Sequence, residues 1–321
     1  MHTSDRYNDS PQQARYLALL ERRFGIERAA PPRECFRRVR GHDLHIDLHT
    51  PRESPRGTVI LLHGAGAHGR LLAPFARPCV EQGFEVWAPD LPGYGITLPA
   101  SAVTRYDEWI EIVVALADEA AARGPVYLFG LSVGGLTALR SAQRARNVTG
   151  VIATTLVDPR HAPTFDQLGR AVLLGRVSRW LFAHLPALAE HLRVVLRWVA
   201  PVEKLTEDTE LAQLLSNDPQ IGKSKVSLGF LRSLHHHTEG RPDYDLPCPL
   251  LLVHPGADAW TPLSLSRRVF DAVGSPKQLV VLSNGSHAPL EQPAYDQLCA
   301  AVAAFVADPT FRFRAAAAGR V

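Results

Sequence analysis

Cysteine is scarce in this sequence: Cys35, Cys79, Cys248 and Cys299 are the four in 321 residues, and none falls in a CxxC pair. That argues against a disulfide framework or a cysteine-built metal or redox motif, and the four read as reduced, mostly buried thiols of a cytoplasmic protein. Charge of one sign is equally short. Lys+Arg 35 against Asp+Glu 32 leaves +3, too weak a field to attract nucleic acid, so no nucleic-acid partner is expected. No apolar run reaches the length of a bilayer span, so no transmembrane helix is expected. The first residues, MHTSDRYNDSPQQ, are polar without an apolar stretch, and no secretory signal is expected. Internal repeats and low-complexity linkers are also missing.

What remains is ordinary globular material, 46% hydrophobic and 21% charged, enough for one large domain or two ordinary ones. Positive residues are mostly arginine and alanine is abundant, the usage expected of a GC-rich bacterial genome. After a polar N-terminal segment with one amphipathic helical stretch (12–24), the runs ECFRRVR and DLHIDLHT alternate as a hairpin turning at Gly41-His42. Compact apolar runs follow at 58–63, 84–89, 126–130, 151–156, 250–254 and 279–282, suited to strands buried on both faces of a parallel sheet. Helical periods separate most of them, at 71–82, 106–123, 133–146, 263–273 and 290–306. This alternation predicts an α/β fold with a mostly parallel, doubly wound sheet. Between Asp158 and Pro249 the rhythm breaks: no strand is expected there, only amphipathic helices, which read as a helical cap inserted between two core strands. The expected division is 1–33 as an N-terminal extension with a helix, 34–158 as the first part of the core and 159–248 as the cap. The second part of the core is 249–309, and 310–321 is a loose tail.

One stretch asks for chemistry. In YLFGLSVGGL, Ser132 sits between Gly130 and Gly134, after a buried strand and before a helix. A serine on so tight a strand-to-helix turn projects above the sheet edge, and residues two before and two after it must lack bulk. An N-capping serine in an ordinary turn is the plainer alternative. A nucleophile needs a base, and His287 in SNGSHAPLEQP follows the last strand at the same sheet edge. An acid must orient the imidazole: Asp258 in VHPGADAWTP gives the chain order serine, acid, histidine, with Asp158 in TTLVDPR as the alternative acid. The glycine-rich LLHGAGAHG follows the first parallel strand, so the N–H groups of Ala65 and Val133 are the expected oxyanion donors. His63 reads as a tether for that loop and Asp90 as the anchor of the DLPGYG turn. No lysine followed by serine or threonine completes a phosphate-binding loop there. Metal binding is not expected, because the consecutive His235, His236 and His237 point in different directions on a helix.

With these elements in order, the chain from about Glu34 to Ala307 resembles the α/β-hydrolase superfamily. HGAGAHGR and GLSVGG are most similar to the monoacylglycerol lipase and lysophospholipase-like branch, which overlaps the serine aminopeptidase grouping. The resemblance implies Ser132 as nucleophile, Asp258 as acid, His287 as base, and Ala65 with Val133 as the oxyanion hole. Two positions depart from it: Leu131 stands where many relatives carry histidine, and DLPGYGIT lacks the usual serine or arginine after its glycines.

The implied reaction is hydrolysis of a small-molecule carboxylic ester, lipid-like or acylglycerol-type, through an acyl-serine and without a cofactor. Serine in place of aspartate at the elbow sets the chain apart from haloalkane dehalogenases and epoxide hydrolases, which the fold also resembles. In the cap, Leu173, Leu174, Val177, Trp180, Leu181, Leu185, Leu188, Leu192, Val195, Leu196 and Trp198 form apolar faces. These are expected chiefly to bury the cap against the sheet and in part to line an acyl pocket; contact with a membrane surface is a lesser alternative. An aminopeptidase would use cap carboxylates, and Glu203, Glu207, Asp208 and Glu210 are candidates. A carbon–carbon bond hydrolase and a ligand receptor without chemistry complete the alternatives.

Overall fold

The computed structural model describes residues 6–101, 103–237 and 244–308. The expected loose tail, 310–321, lies outside them. Chain direction first reverses between Arg33–Val39 (β1) and His42–His49 (β2). Val39 pairs with His42, so the loop is two residues long. Such a loop needs positive φ at both central positions, and Arg40 (49°) and Gly41 (90°) supply it. The turn is therefore Arg40-Gly41, one residue earlier than expected, and His42 already belongs to the ladder.

Thr58–Leu62 (β3), Glu85–Pro89 (β4), Val126–Gly130 (β5) and Gly150–Ala153 (β6) continue the sheet. Every residue of β3, β5 and β6 is buried, the signature of strands covered on both faces. After a long excursion the sheet resumes with Leu250–Pro255 (β9) and Lys277–Leu282 (β10), giving the order β1-β2-β4-β3-β5-β6-β9-β10. β2 runs antiparallel to β1 and to β4; all pairings from β4 through β10 are parallel. This is the mostly parallel α/β sheet the sequence predicts. Ala73–Glu81 (α2) packs with Ala294–Ala307 (α12), and Tyr106–Ala121 (α3) with Val133–Ala142 (α4). Leu263–Ala272 (α11) packs against β9.

The excursion holds Ala162–Leu168 (α5), Val172–His184 (α6), Pro186–His191 (α7), Leu196–Val199 (α8), Thr209–Asn217 (α9) and Leu228–His236 (α10). It also holds strands, which the sequence did not announce: Arg193–Val195 (β7) and Lys225–Ser227 (β8) pair antiparallel as a small ribbon. Three residues are too few for alternation to register. A second expectation fails here. Leu173, Leu174, Val177, Trp180, Leu185, Leu188, Leu192 and Trp198 are exposed, Leu173 at 68% and Trp198 at 64%, so most of the apolar face is not spent on the sheet. Among the described residues no helix is long and apolar enough to cross a membrane.

The N-terminal helix Pro11–Phe24 (α1) starts on Ser10, whose hydroxyl accepts from Gln13 N, and stops at Gly25 with φ 66°. It is wedged into the molecule: Tyr16, Leu19, Leu20 and Phe24 are buried in the main core. Beside it lies a buried ionic cluster. Arg70 donates to both carboxylate oxygens of Asp47 (2.6 and 2.7 Å). Asp90 accepts from Tyr7 Oη (2.8 Å), Gly69 N (2.7 Å) and Ile96 N (2.9 Å), tying three segments to one carboxylate. Burial would raise the Asp90 carboxyl, but His45 and the Ile96 amide hold it well below the usual range. Glu34, His45 and Asp47 are the one group with metal-ligand spacing among the described residues. The Arg70 guanidinium, within 3.4 Å of Glu34 as well as on Asp47, already supplies the positive charge a cation would bring.

Buried histidines set the acid stability. Burial pushes His49, His68 and His237 down to about 4 from an ordinary 6.5, and lowers His63 and His254 as well. These rings stay neutral in the fold while the unfolded chain takes up protons below about 6.5. For His49, His68 and His237, stability is therefore lost as pH falls from about 6.5 towards 4, by on the order of 1 kcal/mol per pH unit for each ring, and His63 and His254 act in the same direction. His45 opposes them: burial alone would lower it, but Asp90, Asp47 and Glu34 raise it, so its contribution is present at low pH and lost as pH rises. The depressed rings outnumber it, so the thermal midpoint is expected to fall steadily from about pH 7 to about pH 4.5. A flat profile in scanning calorimetry would show that these rings are hydrated.

Candidate active site

The turn after β5 is built from backbone constraints. Leu131 N donates to Leu62 O (3.0 Å) and Ser132 N to Thr154 Oγ1 (3.3 Å), fixing the turn to both neighbouring strands. Ser132 adopts φ 56°, ψ −128°, a conformation that side-chain-bearing residues avoid. A Cβ on Gly130 would lie 2.0 Å from Gly134 O, and one on Gly134 2.3 Å from Leu62 O, so the two glycines are required by contact. Val133 opens α4, where backbone N–H groups lack intrahelical partners and the helix dipole favours negative charge.

Facing the turn is the loop after β3. His63 is locked in one tautomer: Nδ1–H donates to Gly64 O (2.8 Å) and Nε2 accepts from Leu91 N (2.9 Å). Burial keeps this ring neutral. The tether holds Gly64 so close to the elbow that a Cβ there would meet Ser132 Cβ at 2.9 Å.

His287 lies beyond β10, and its Nδ1 is 2.8 Å from Asp258 Oδ2. Asp258 also accepts from Trp260 N (2.8 Å), Thr261 N (2.8 Å) and Thr261 Oγ1 (2.7 Å). Burial would raise this carboxyl, but the His287 ring and the Thr261 donors bring it down to about 2. Asp258 is thus a carboxylate at any ordinary pH, and Nδ1 of His287 is the protonated nitrogen. The other nitrogen, Nε2, is buried and has no hydrogen-bond partner among the described residues.

Asp158 is committed elsewhere. It accepts from Arg140 Nη2 (3.0 Å), Arg160 Nη2 (2.6 Å) and Tyr244 Oη (2.8 Å). His235 and His237 each spend Nδ1 on a carbonyl, of Pro159 and Leu234, both at 2.7 Å. Three of the four carboxylates in the acidic run have arginine partners: Glu203 takes Arg170, Asp208 takes Arg23 and Glu210 takes Arg22.

Two apolar chambers meet at Ser132. The first, ≈ 110 Å³, is lined by Ala65, Ser132 and Val133 with Phe165, Leu174 and Leu234. The second, ≈ 90 Å³, is lined by Ser132, His287 and Leu131 with Tyr16, Leu72 and Leu215. Leu196 and Trp260 border both. Among the described residues, no Asp, Glu, Lys or Arg lines either chamber. Leu174 is 38% exposed, so the first chamber reaches the open apolar face of α6.

Ser132, Val133, Ala65, Asp258 and His287 are therefore brought together, Gly130 and Gly134 shape their turn, and Asp158 stands apart. Sequence reading missed three contributors. Thr261 Oγ1 bridges Asp258 and His287 Nδ1 (3.1 Å). Trp260 packs at a tilt against the His287 ring, with centroids 4.7 Å apart, and donates Nε1–H to Leu168 O (2.9 Å) on α5. Both follow Asp258 in the quoted motif, the one signal available. The third is Tyr16, 116 positions before Ser132, for which sequence gives only a place on an amphipathic face.

Residues 53–294 match the family model described as serine aminopeptidase, S33. The monoacylglycerol lipase of Mycolicibacterium smegmatis is 27% identical over 251 residues, 75% of this chain and 84% of the relative. An uncharacterized abhydrolase domain-containing protein of Dictyostelium discoideum is 27% identical over 244 residues, 72% of this chain and only 24% of that longer protein. Among solved structures, a soluble variant of the Saccharomyces cerevisiae monoglyceride lipase, in complex with a substrate analog, superposes with a TM-score of 0.70 at 16% identity, covering 89% of this chain and 98% of that one.

Proposed function

Since the chain belongs to the serine aminopeptidase S33 family of α/β-hydrolases, on its monoacylglycerol lipase-like branch, we propose that it is a serine-dependent hydrolase of uncharged carboxylic esters. One observation carries the reading: His287 Nε2 is buried without a partner among the described residues in the chamber it shares with Ser132, while Nδ1 is held by an ionised Asp258. An imidazole so fixed is a base waiting for a proton.

In the proposed cycle, Ser132 Oγ attacks the ester carbonyl carbon and its proton passes to His287 Nε2. The carbonyl oxygen becomes an oxyanion held by the N–H groups of Ala65 and Val133, each worth about 10²–10³ in turnover. Collapse breaks the bond to the alcohol oxygen, which takes the proton from His287. Water then gives its proton to Nε2 as it attacks the acyl carbon, and collapse breaks the bond to Ser132 Oγ, which takes that proton back as the acid leaves. His287 lines only the second chamber, so the leaving alcohol belongs there and the acyl group in the first. Within the expected cap, the described residues 159–237 and 244–248 form the roof over both.

Chamber chemistry chooses the substrate class. Small, apolar walls with no carboxylate among the described residues suit ester arms of small to medium size and leave a substrate ammonium without a partner there, and Glu203, Asp208 and Glu210 are already paired with arginines. The test is a panel of p-nitrophenyl esters beside aminoacyl p-nitroanilides. Esters are expected to be cleaved at least about 10²-fold more efficiently, because an ammonium in an apolar pocket loses its hydration uncompensated. Preference for the anilides would make the aminopeptidase reading correct. Turnover of neither by folded protein would leave the site to diketone cleavage or ligand binding.

A further inference from the structure

Helix α1 precedes the family-matched residues, which begin at 53, yet it reaches the site. Tyr16 is 5% exposed and its side chain lies in the wall of the second chamber. Its hydroxyl donates to Leu71 O (3.1 Å), and Leu71 and Leu72 belong to the same wall. Nearly two turns further along α1, Arg22 pairs with Glu210, and Arg23 pairs with Asp208 at 2.7 Å. Asp208 caps α9, accepting from Leu211 N (2.9 Å), and Leu215 of α9 also lines the chamber. A single helix thus supplies one part of the wall and grips the helix that supplies another.

We propose that Tyr16 is a specificity-determining residue that sets the size of the alcohol half the site accepts, an inference that rests on the ester-hydrolase reading and on the assignment of the second chamber to the leaving alcohol. The physical basis is steric. A ring seated in a wall, anchored by its hydroxyl to a carbonyl and buried in the main core with the rest of its helix face, resists swinging away to admit a longer chain. The size limit would then be written in a segment outside the family-matched region.

The test uses the full chain and two ester series: n-alkyl butyrates from methyl to octyl, which lengthen the alcohol, and p-nitrophenyl esters from acetyl to decanoyl, which lengthen the acyl group. In Tyr16→Ala the alcohol series is expected to extend, with kcat/KM for the longer alkyls relative to methyl rising about tenfold through KM, while the acyl profile keeps its shape. Tyr16→Phe, which keeps the ring but loses its hydroxyl anchor, is expected to shift the alcohol profile in the same direction by less than Tyr16→Ala. Tyr16→Leu, with shorter reach and the apolar mass kept, is expected to shift the profile in the same direction by less, and serves if the alanine variant does not fold. An unchanged alcohol profile in the folded variants overturns the proposal, as does an extension confined to the acyl series or a uniform loss across both. Wild type inactive on every ester would instead defeat the ester reading, a result separable from all of these.

Discussion

Ser132→Ala is expected to lower kcat for ester hydrolysis by about 10⁴–10⁶-fold with the fold intact, the loss seen when a catalytic serine is removed. Alanine keeps Cβ, so the backbone at φ 56° is no more strained than before and the melting temperature should barely move. Ser132→Gly is expected to be equally inactive but more stable by about 1 kcal/mol, because glycine alone adopts positive φ without cost. Steady-state kinetics and thermal melts on the three proteins check both halves. Residual activity within tenfold of wild type would remove Ser132 from the chemistry. A glycine variant no more stable than the alanine one would remove the strain argument.

The second large effect separates the two aspartates. Asp258→Asn is expected to cost about 10⁴ in kcat, because the amide no longer holds His287 with its proton on Nδ1 or stabilises the imidazolium. Asp158→Asn should act on stability: it takes the carboxylate from buried Arg140 and from Arg160, and breaking a buried pair by removing one partner costs about 3–5 kcal/mol. Turnover per folded molecule should stay near wild type. Kinetics normalised to folded protein, with denaturant melts, give the two numbers for each variant. The reverse pattern would make Asp158 the acid.

How much of this was legible depended on the range of the interaction. β3, β5 and β6 could be read from composition because strands buried on both faces need nothing but apolar residues. The elbow could be read because its constraint is local: Gly130, Ser132 and Gly134 answer to contacts within one turn and the neighbouring strand. Asp258 and His287 followed from chain order once the sheet was in place. What could not be read was long-range. Tyr16 is a wall residue only because Leu71 lies beside it, and no periodicity on α1 encodes that. β7 and β8 pair across some thirty residues with three residues each, below any pattern threshold. The face of α6 misled in a different way. Periodicity marks residues such as Leu173, Val177 and Trp180 as apolar, but says nothing of whether a neighbour exists to cover them.

The sheet order has a consequence in time. Strands β1 to β6 are contiguous in the sheet and are made first, whereas β9, the partner of β6, is separated from it by residues 154–249. At about 5–20 residues per second, a ribosome needs roughly 5–20 s to cross that interval. Throughout it β6, apolar along its length, is an unpaired edge of the kind that recruits other chains. Translation speed through this interval therefore governs how long each nascent chain is vulnerable. A chain stalled there carries the serine's strand, turn and helix before the acid and base assigned to it have been made.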